Sequence, residues 1–161
     1  MGSCVQAAKG YWLRAITYYE AAAFPFDSSD SRQKAVLARM RACAGAFLRR
    51  ADPQGAVVTI PWRADYPLQG YFLPAPGEAG KAAVVVCFVE PGRRKEVALL
   101  KLAGQAAARG LALLAVDLLG AETVDRFDEI VGSRDLESAV GSVIDYVSEL
   151  ENVDAGRIAV L

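Results

Sequence analysis

Apolar side chains recur at three- and four-residue steps through the first 50 residues, which is the spacing of an amphipathic helix. The first run contains Tyr11, Trp12, Ala15, Ile16, Tyr19, Ala22 and Ala23. Pro25 interrupts this run, and Ser28, Ser29 or Asp30 can cap a second helix. One face of that helix carries Val36, Met40, Cys43, Ala44 and Phe47. We therefore predict a helical hairpin over residues 1–52.

From residue 53 onward the pattern changes to short apolar runs that are separated by turns. "AVVTIPW" and "LQGYFLPAP" flank the turn-like stretch "RADYP", which predicts an antiparallel strand pair. "KAAVVVCFV", "LALLAVDLL" and "RIAVL" are almost continuously apolar, as buried parallel strands are. Two helical segments separate them, namely "RRKEVALLKLAGQAAARG", with Gly110 as its stop, and Asp135 to Glu151.

This order of elements predicts the fold class. An antiparallel pair followed by β-α-β-α-β is typical of an α/β sheet with right-handed crossovers. We therefore expect an α/β protein with two parts, a helical segment over residues 1–52 and a sheet-containing core over residues 53–161.

Composition narrows the function classes. The 18 basic and 19 acidic residues nearly cancel, and no basic stripe favours a nucleic acid partner. Histidine, the usual general base and metal ligand, does not occur. The longest apolar run, Ala82 to Val89, is too short to cross a bilayer. The three cysteines, Cys4, Cys43 and Cys87, are odd in number and widely spaced. We interpret them as buried, unreactive thiols of a protein in a reducing compartment. We expect a cytoplasmic protein without metal or cofactor.

The elements and their short motifs resemble the first half of the α/β-hydrolase fold. In detail they are similar to the branch that contains the FrsA-like esterases and 2,6-dihydroxypseudooxynicotine hydrolase. "TIPW" and "LQGYFLPAP" match the opening strands, and "VVVCFVEPGRRKE" keeps the apolar central strand with Lys95 and Glu96. "LAVDLLGAE" and "DAGRIAVL" match the two later strands. The resemblance covers nearly all 161 residues.

The resemblance implies where the catalytic groups belong. In such hydrolases a G-x-S-x-G nucleophile elbow follows the strand that corresponds to "RIAVL". The serine, its histidine and its acid then lie outside these residues, so residues 1–161 alone are expected to be inactive. The implied activity is hydrolysis of an ester or of a carbon–carbon bond next to a ketone. The implied partner is the C-terminal half of the fold, and a homodimer is left open.

The turn after the central strand supplies an oxyanion-hole N–H in this fold. The resemblance assigns that turn to Val89 and Glu90, where family members favour two glycines. An active enzyme requires the Glu90 carboxylate to face solvent, and Pro91 has no N–H to donate. Leu118 and Leu119 also replace small or turn-forming residues. The alternative is a degenerate, non-catalytic hydrolase-like domain that binds a ligand or a protein.

Two further groups are candidates for function. Asp117 ends an apolar strand, and the resemblance implies that it braces the turn that follows. Six aromatic side chains of the helical segment either line a substrate pocket, as the helical caps of this branch do, or form plain core. They are Tyr11, Trp12, Tyr18, Tyr19, Phe24 and Phe26.

Overall fold

The computed structural model describes residues 2–63, 66–77, 80–89, 93–118 and 135–161, with the side chains of all but residues 2–8 and 135. Within these ranges four helices and five strands follow one another in the predicted order. The helices are α1 (Gly2–Ala23), α2 (Ser31–Arg50), α3 (Lys95–Ala107) and α4 (Asp135–Ser148). The strands are β1 (Ala56–Arg63), β2 (Tyr66–Leu73), β3 (Ala82–Val89), β4 (Ala112–Asp117) and β5 (Val153–Val160).

The N-terminal region forms the predicted helical hairpin. Asp30 caps α2, since its carboxylate accepts the Arg32 N–H at 2.7 Å. Gln33 donates its side-chain amide to the Phe26 carbonyl at 2.6 Å, which closes the turn between the helices. The buried side chains of the hairpin include Ile16, Ala23, Leu37, Met40 and Leu48. Among the described residues, no helix is long and apolar enough to cross a membrane.

The five strands form one mixed sheet in the order β1-β2-β4-β3-β5. The pairs β1–β2 and β2–β4 are antiparallel, whereas β3 runs parallel to both β4 and β5. The predicted antiparallel pair and the central parallel position of β3 are both confirmed. This is the sheet arrangement of the α/β class that the sequence predicts.

Helices cover both faces of the sheet. Along β4, Leu113 and Ala115 face the core beneath α1, α2 and α3, while Leu114 and Val116 face the core beneath α4. This alternation follows from the two-residue period of a strand that is buried on both sides. The hairpin therefore shares one core with the sheet, and the sequence boundary at residue 52 falls in the connection between α2 and β1.

Two element bounds differ from the sequence expectation. Helix α4 ends at Ser148 and not at Glu151, because the Leu150 N–H turns back to the Val147 carbonyl and Leu150 in turn accepts the Val153 N–H. Strand β5 accordingly begins at Val153, before "RIAVL". The predicted stop of α3 is confirmed, since Gly110 adopts φ +66° and turns the chain towards β4.

The two outer strands of the described sheet, β1 and β5, differ in how easily another strand could pair with their free edges. β5 pairs with β3 on one side, and Val160 and Leu161 are 59% and 66% exposed. β1 forms the opposite edge and contains Pro61, which lacks an N–H for a further strand. Exposed edges with an unbroken row of backbone donors favour pairing with another chain. The β5 edge is therefore the one that we expect to associate.

We predict that Val160→Lys lowers concentration-dependent self-association of residues 1–161 without unfolding them. A charge on an exposed edge strand opposes strand addition. Sedimentation velocity over a range of concentrations measures the effect. The matched control is Val57→Lys, since Val57 is 58% exposed on the proline-interrupted edge. Equal behaviour of the two variants would show that the β5 edge has no special role.

Candidate functional site

The carboxyl ends of three parallel strands meet at one edge of the sheet. Val89 at the end of β3 is paired with Asp117 at the end of β4. Next to β5, the Leu161 N–H donates to the Val86 carbonyl at 2.9 Å, and the Phe88 N–H donates to the Leu161 carbonyl at 3.0 Å. In open α/β sheets this edge is where binding and catalytic groups are placed.

A buried ion pair joins β4 to the start of α3 at this edge. The Asp117 carboxylate accepts the Lys95 backbone N–H at 2.7 Å through Oδ1 and the Lys95 ammonium at 2.7 Å through Oδ2. The two side chains are only 9% and 11% exposed. Arg94 at the N-cap makes no side-chain cap bond within the described residues. Asp117 thus supplies from another element the acceptor that a helix N-terminus needs.

A second buried contact joins β2 to the same helix turn. The Tyr71 hydroxyl donates to Glu96 Oε1 at 2.6 Å, and Tyr71 and Glu96 are 3% and 2% exposed. The Lys95 ammonium lies 5.3 Å from the centre of the Tyr71 ring, within the range of a cation–π contact. The first two residues of α3 are therefore bound to two neighbouring strands.

Burial controls the titration of these groups. Desolvation raises the pKa of Asp117 above its ordinary value, although the Lys95 ammonium and its hydrogen bonds act in the opposite direction. Desolvation also raises the pKa of the Tyr71 hydroxyl, and the Glu96 carboxylate raises it further. Tyr71 therefore acts as a neutral donor at physiological pH. Among the described residues, no group of three histidine, cysteine or acidic side chains could hold a metal ion.

The structure brings some of the sequence candidates together. Asp117 and Val89 are neighbours at the carboxyl edge, and Val89 is half-buried. Glu90 lies outside the described residues. Lys95 and Glu96 occur in the motifs that carry the resemblance, but their contacts with Asp117 and Tyr71 are not predicted by the sequence. The available signal was a pair of opposite charges directly before the apolar run "VALL".

The six aromatic candidates differ in exposure, and two of them, Trp12 and Tyr19, pack against the core beneath the hairpin. Tyr11, Tyr18 and Phe24 are 63%, 74% and 91% exposed. Trp12, Tyr19 and Phe26 are half-buried, and Arg50 lies 4.9 Å from the Trp12 ring centre. A cavity of about 370 Å³ opens at the opposite edge of the sheet, among Leu13, Phe47, Leu73, Ala106 and Leu111, and none of the six lines it. Their role in a substrate pocket stays a prediction.

Burial also raises the pKa values of the described cysteine thiols. Cys87 is buried in β3, and Cys43 is half-buried in α2. A raised pKa keeps a thiol protonated and poorly reactive, in agreement with the buried thiols that the sequence predicts at these two positions. The side chain of Cys4 lies outside the described residues.

No family model matches the chain. A curated relative, the Alpha/beta hydrolase xenA of Xenoacremonium sinensis, is 26% identical over 94% of this chain and 38% of its own length. The crystal structure of 2,6-dihydroxy-pseudo-oxynicotine hydrolase superposes with a TM-score of 0.64 at 18% identity, over 95% of this chain and 49% of that protein. The dienelactone hydrolase-like promiscuous phosphotriesterase P91 from metagenomic libraries gives 0.51 at 20% identity, over 66% and 48%.

These comparisons establish the fold and show how much of each relative the chain corresponds to. The chain spans 38% of the curated relative and about half of the solved hydrolases that it matches. The first superposition covers 95% of the chain and therefore includes most of the helical N-terminal region, whereas the second covers 66%.

We predict that Lys95 and Asp117 are strongly coupled in stability. Lys95→Met alone leaves the buried Asp117 carboxylate without its counter-ion, which typically costs about 3–5 kcal/mol. Asp117→Asn alone should cost less, because burial favours the neutral form of this carboxyl. The double variant removes both charges, while the asparagine oxygen can still accept the residue 95 N–H. It should therefore be more stable than the sum of the single losses predicts. Urea unfolding of the wild type and the three variants gives the coupling energy.

The chain contains a matched control for this cycle. Asp30 accepts the Arg32 N–H and the Arg32 guanidinium, both at 2.7 Å, but the Arg32 side chain is 71% exposed. The cycle of Asp30→Asn and Arg32→Met should show a much smaller coupling, because solvent screens the pair. Equal coupling in the two cycles would contradict a special role of burial.

We also predict that the two capping carboxyls titrate on opposite sides of the ordinary aspartate pKa. Burial raises the pKa of Asp117, whereas hydrogen bonds from Arg32 lower the pKa of Asp30. The contribution of Asp117 to stability is therefore full below its unfolded pKa and is lost as the pH rises through its folded pKa. Asp30 has the opposite sign, with a contribution that is lost as the pH falls. Carboxyl-carbon NMR titration measures both, and a lower pKa for Asp117 than for Asp30 would contradict this assignment.

Proposed function

We propose that this chain, whose fold is that of the α/β hydrolases, is the N-terminal part of a serine hydrolase. The proposed reaction is hydrolysis of an ester or of a carbon–carbon bond next to a ketone. The proposed catalytic serine, histidine and acid lie outside these 161 residues, which contain no histidine. The sequence relative and the structural neighbours, all hydrolases by name, support this assignment.

The observation that carries the proposal is the position of Leu161. Its backbone exchanges hydrogen bonds with Val86 and Phe88, directly before the end of β3 at Val89. A chain that continues from β5 therefore starts beside the carboxyl end of β3. In this fold the nucleophile follows such a strand, and the oxyanion donors come from the turn after the central strand. The two parts of the proposed site would thus be adjacent.

The proposed mechanism is acyl transfer to the catalytic serine. Serine attacks the carbonyl carbon as histidine takes its proton, and the proposed N–H donors at Val89 and Glu90 stabilise the oxyanion. The bond to the leaving group then breaks as histidine returns the proton to that group, and water hydrolyses the acyl-serine to regenerate the free serine. In this assignment the Glu90 carboxylate faces solvent, since a carboxylate beside an oxyanion would repel it. The α1–α2 hairpin forms part of a cap over the substrate, and the protein acts in the cytoplasm.

The test compares residues 1–161 with the polypeptide in which they are joined to the proposed C-terminal half. We expect residues 1–161 to show no hydrolysis of p-nitrophenyl esters above a buffer blank. The joined polypeptide should turn these esters over and should be labelled by a fluorophosphonate at a serine beyond residue 161. Prior phosphonate treatment, which blocks an activated serine, is the control for both signals.

Each result decides between the proposal and its alternative. Saturable turnover by residues 1–161 alone would contradict the placement of the catalytic groups outside them. A folded joined polypeptide without turnover or labelling would favour the degenerate binding domain, which the replacement of two glycines by Val89 and Glu90 already suggests. Size-exclusion chromatography of the two separate halves adds an independent check, because the proposal expects them to co-elute as a complex.

A further inference from the structure

Two adjoining cavities lie at the amino edge of the parallel strands, opposite to the proposed catalytic edge. The first, which we call the apolar cavity, has a volume of about 370 Å³ and is bordered by α1, α2, α3 and the end of β2. The second, the cationic cavity, has a volume of about 670 Å³ and lies beside the starts of β3 and β4. The two cavities form one continuous site, because both are lined by Pro53, Pro74, Pro76 and Leu111.

The apolar cavity is suited to a hydrocarbon group. Its walls include Leu13 of α1, Phe47 of α2 and Leu73 of β2. The charged residues of its lining, Lys9 and Asp52, have opposite signs and therefore add no net charge. Sites for small molecules typically have mainly apolar walls and volumes of about 300–1,000 Å³, and this cavity falls within that range.

Two glycines inside helices border the apolar cavity. They are Gly10 in α1 and Gly104 in α3. A Cβ at either position would meet no neighbouring atom within 4 Å, and neither glycine has a positive φ. Close packing and backbone conformation therefore do not require them, although glycine destabilises a helix relative to alanine. Their shared consequence is that no side chain at these positions narrows the cavity.

The cationic cavity is suited to an anionic group. Its described lining contains three cationic side chains, Lys81, Arg109 and Arg157, and no carboxylate. Arg109 donates to the backbone and side-chain oxygens of Gln105 at 2.9 and 2.7 Å. Arg157 binds Asp154 Oδ2 at 2.6 Å and donates to the Lys81 carbonyl at 3.0 Å. These contacts hold both guanidinium groups in place and leave further N–H donors for a ligand, which lowers the entropic cost of binding.

We propose that the two cavities together bind a single-chain amphipathic anion. Its hydrocarbon chain occupies the apolar cavity, and its carboxylate or phosphate group contacts Arg109 and Arg157. Three of the four residues that both cavities share are prolines, whose fixed φ gives the common wall a preformed shape. The site lies at the edge opposite to the proposed catalytic groups, so the inference does not depend on the proposed function.

The first test compares the binding of two dyes to residues 1–161 by fluorescence titration. Anilinonaphthalene sulfonate and N-phenylnaphthylamine have the same apolar body, but only the first is an anion. Arg109→Gln/Arg157→Gln should weaken binding of the sulfonate dye by about three- to tenfold and leave binding of the neutral dye unchanged. The matched control, Lys34→Gln/Arg39→Gln, removes two exposed positive charges of α2 outside both cavities and should change neither constant.

The second test fills the apolar cavity. Gly104→Leu should weaken binding of both dyes by about tenfold, because the new side chain takes up space that the ligand needs. Gly10→Leu repeats the test from α1 if circular dichroism shows that the first variant does not fold. Gly141→Leu is the control, since this exposed glycine of α4 also has no atom within 4 Å of its Cβ position and lines neither cavity.

Displacement of the sulfonate dye by octanoate and by octyl phosphate identifies the anionic group, with octanol as the neutral counterpart. At least one of the two anions should displace the dye at lower concentrations than octanol does. Octanol that displaces as well as both anions would overturn the inference. Absence of saturable binding of the sulfonate dye, an equal effect of the two charge variants on it, or unchanged binding of both dyes in a folded cavity-filling variant would overturn it as well.

Discussion

The buried contact between Asp117 and Lys95 is the constraint on which the carboxyl edge of this sheet depends. It satisfies the free N-terminus of α3, neutralises two charges that could not stay buried separately, and joins β4 to the helix that follows β3. The helix cannot leave its position without exposing or isolating one of those charges. The start of α3 at this edge is therefore held by buried polar contacts to β4 and β2.

The sheet topology explains why the buried contacts of Lys95 and Glu96 lie at this edge. Parallel pairing of β3 with β4 and β5 brings three strand ends together, and the antiparallel pairing of β2 brings Tyr71 beneath the same helix turn. Two different pairing modes thus converge on Lys95 and Glu96.

Burial decides how the same local chemistry behaves. Asp30 and Asp117 each accept the backbone N–H and the cationic side chain of one residue at a helix N-terminus. Their pKa values nevertheless shift in opposite directions, because hydrogen bonds from Arg32 lower the pKa of Asp30 and desolvation raises the pKa of Asp117. The exposed cap supports a single helix. The buried cap connects three elements, and it is this connection that gives it significance for the proposed function.

The sequence by itself determined the elements, since apolar spacing predicts the hairpin, the antiparallel pair and the continuous run of β3, and Asp30 and Gly110 mark helix ends through local chemistry. It also singled out Asp117, because this residue ends an apolar strand, and Val89, because the resemblance assigns the turn after the central strand to it. Only the tertiary structure decided that Lys95 pairs with Asp117 and that Glu96 pairs with Tyr71. The first two residues are 22 positions apart in the chain and the second two are 25 positions apart. Spacing specifies which face of an element is buried, but charged partners from different elements are selected by the packing that brings them together and excludes water.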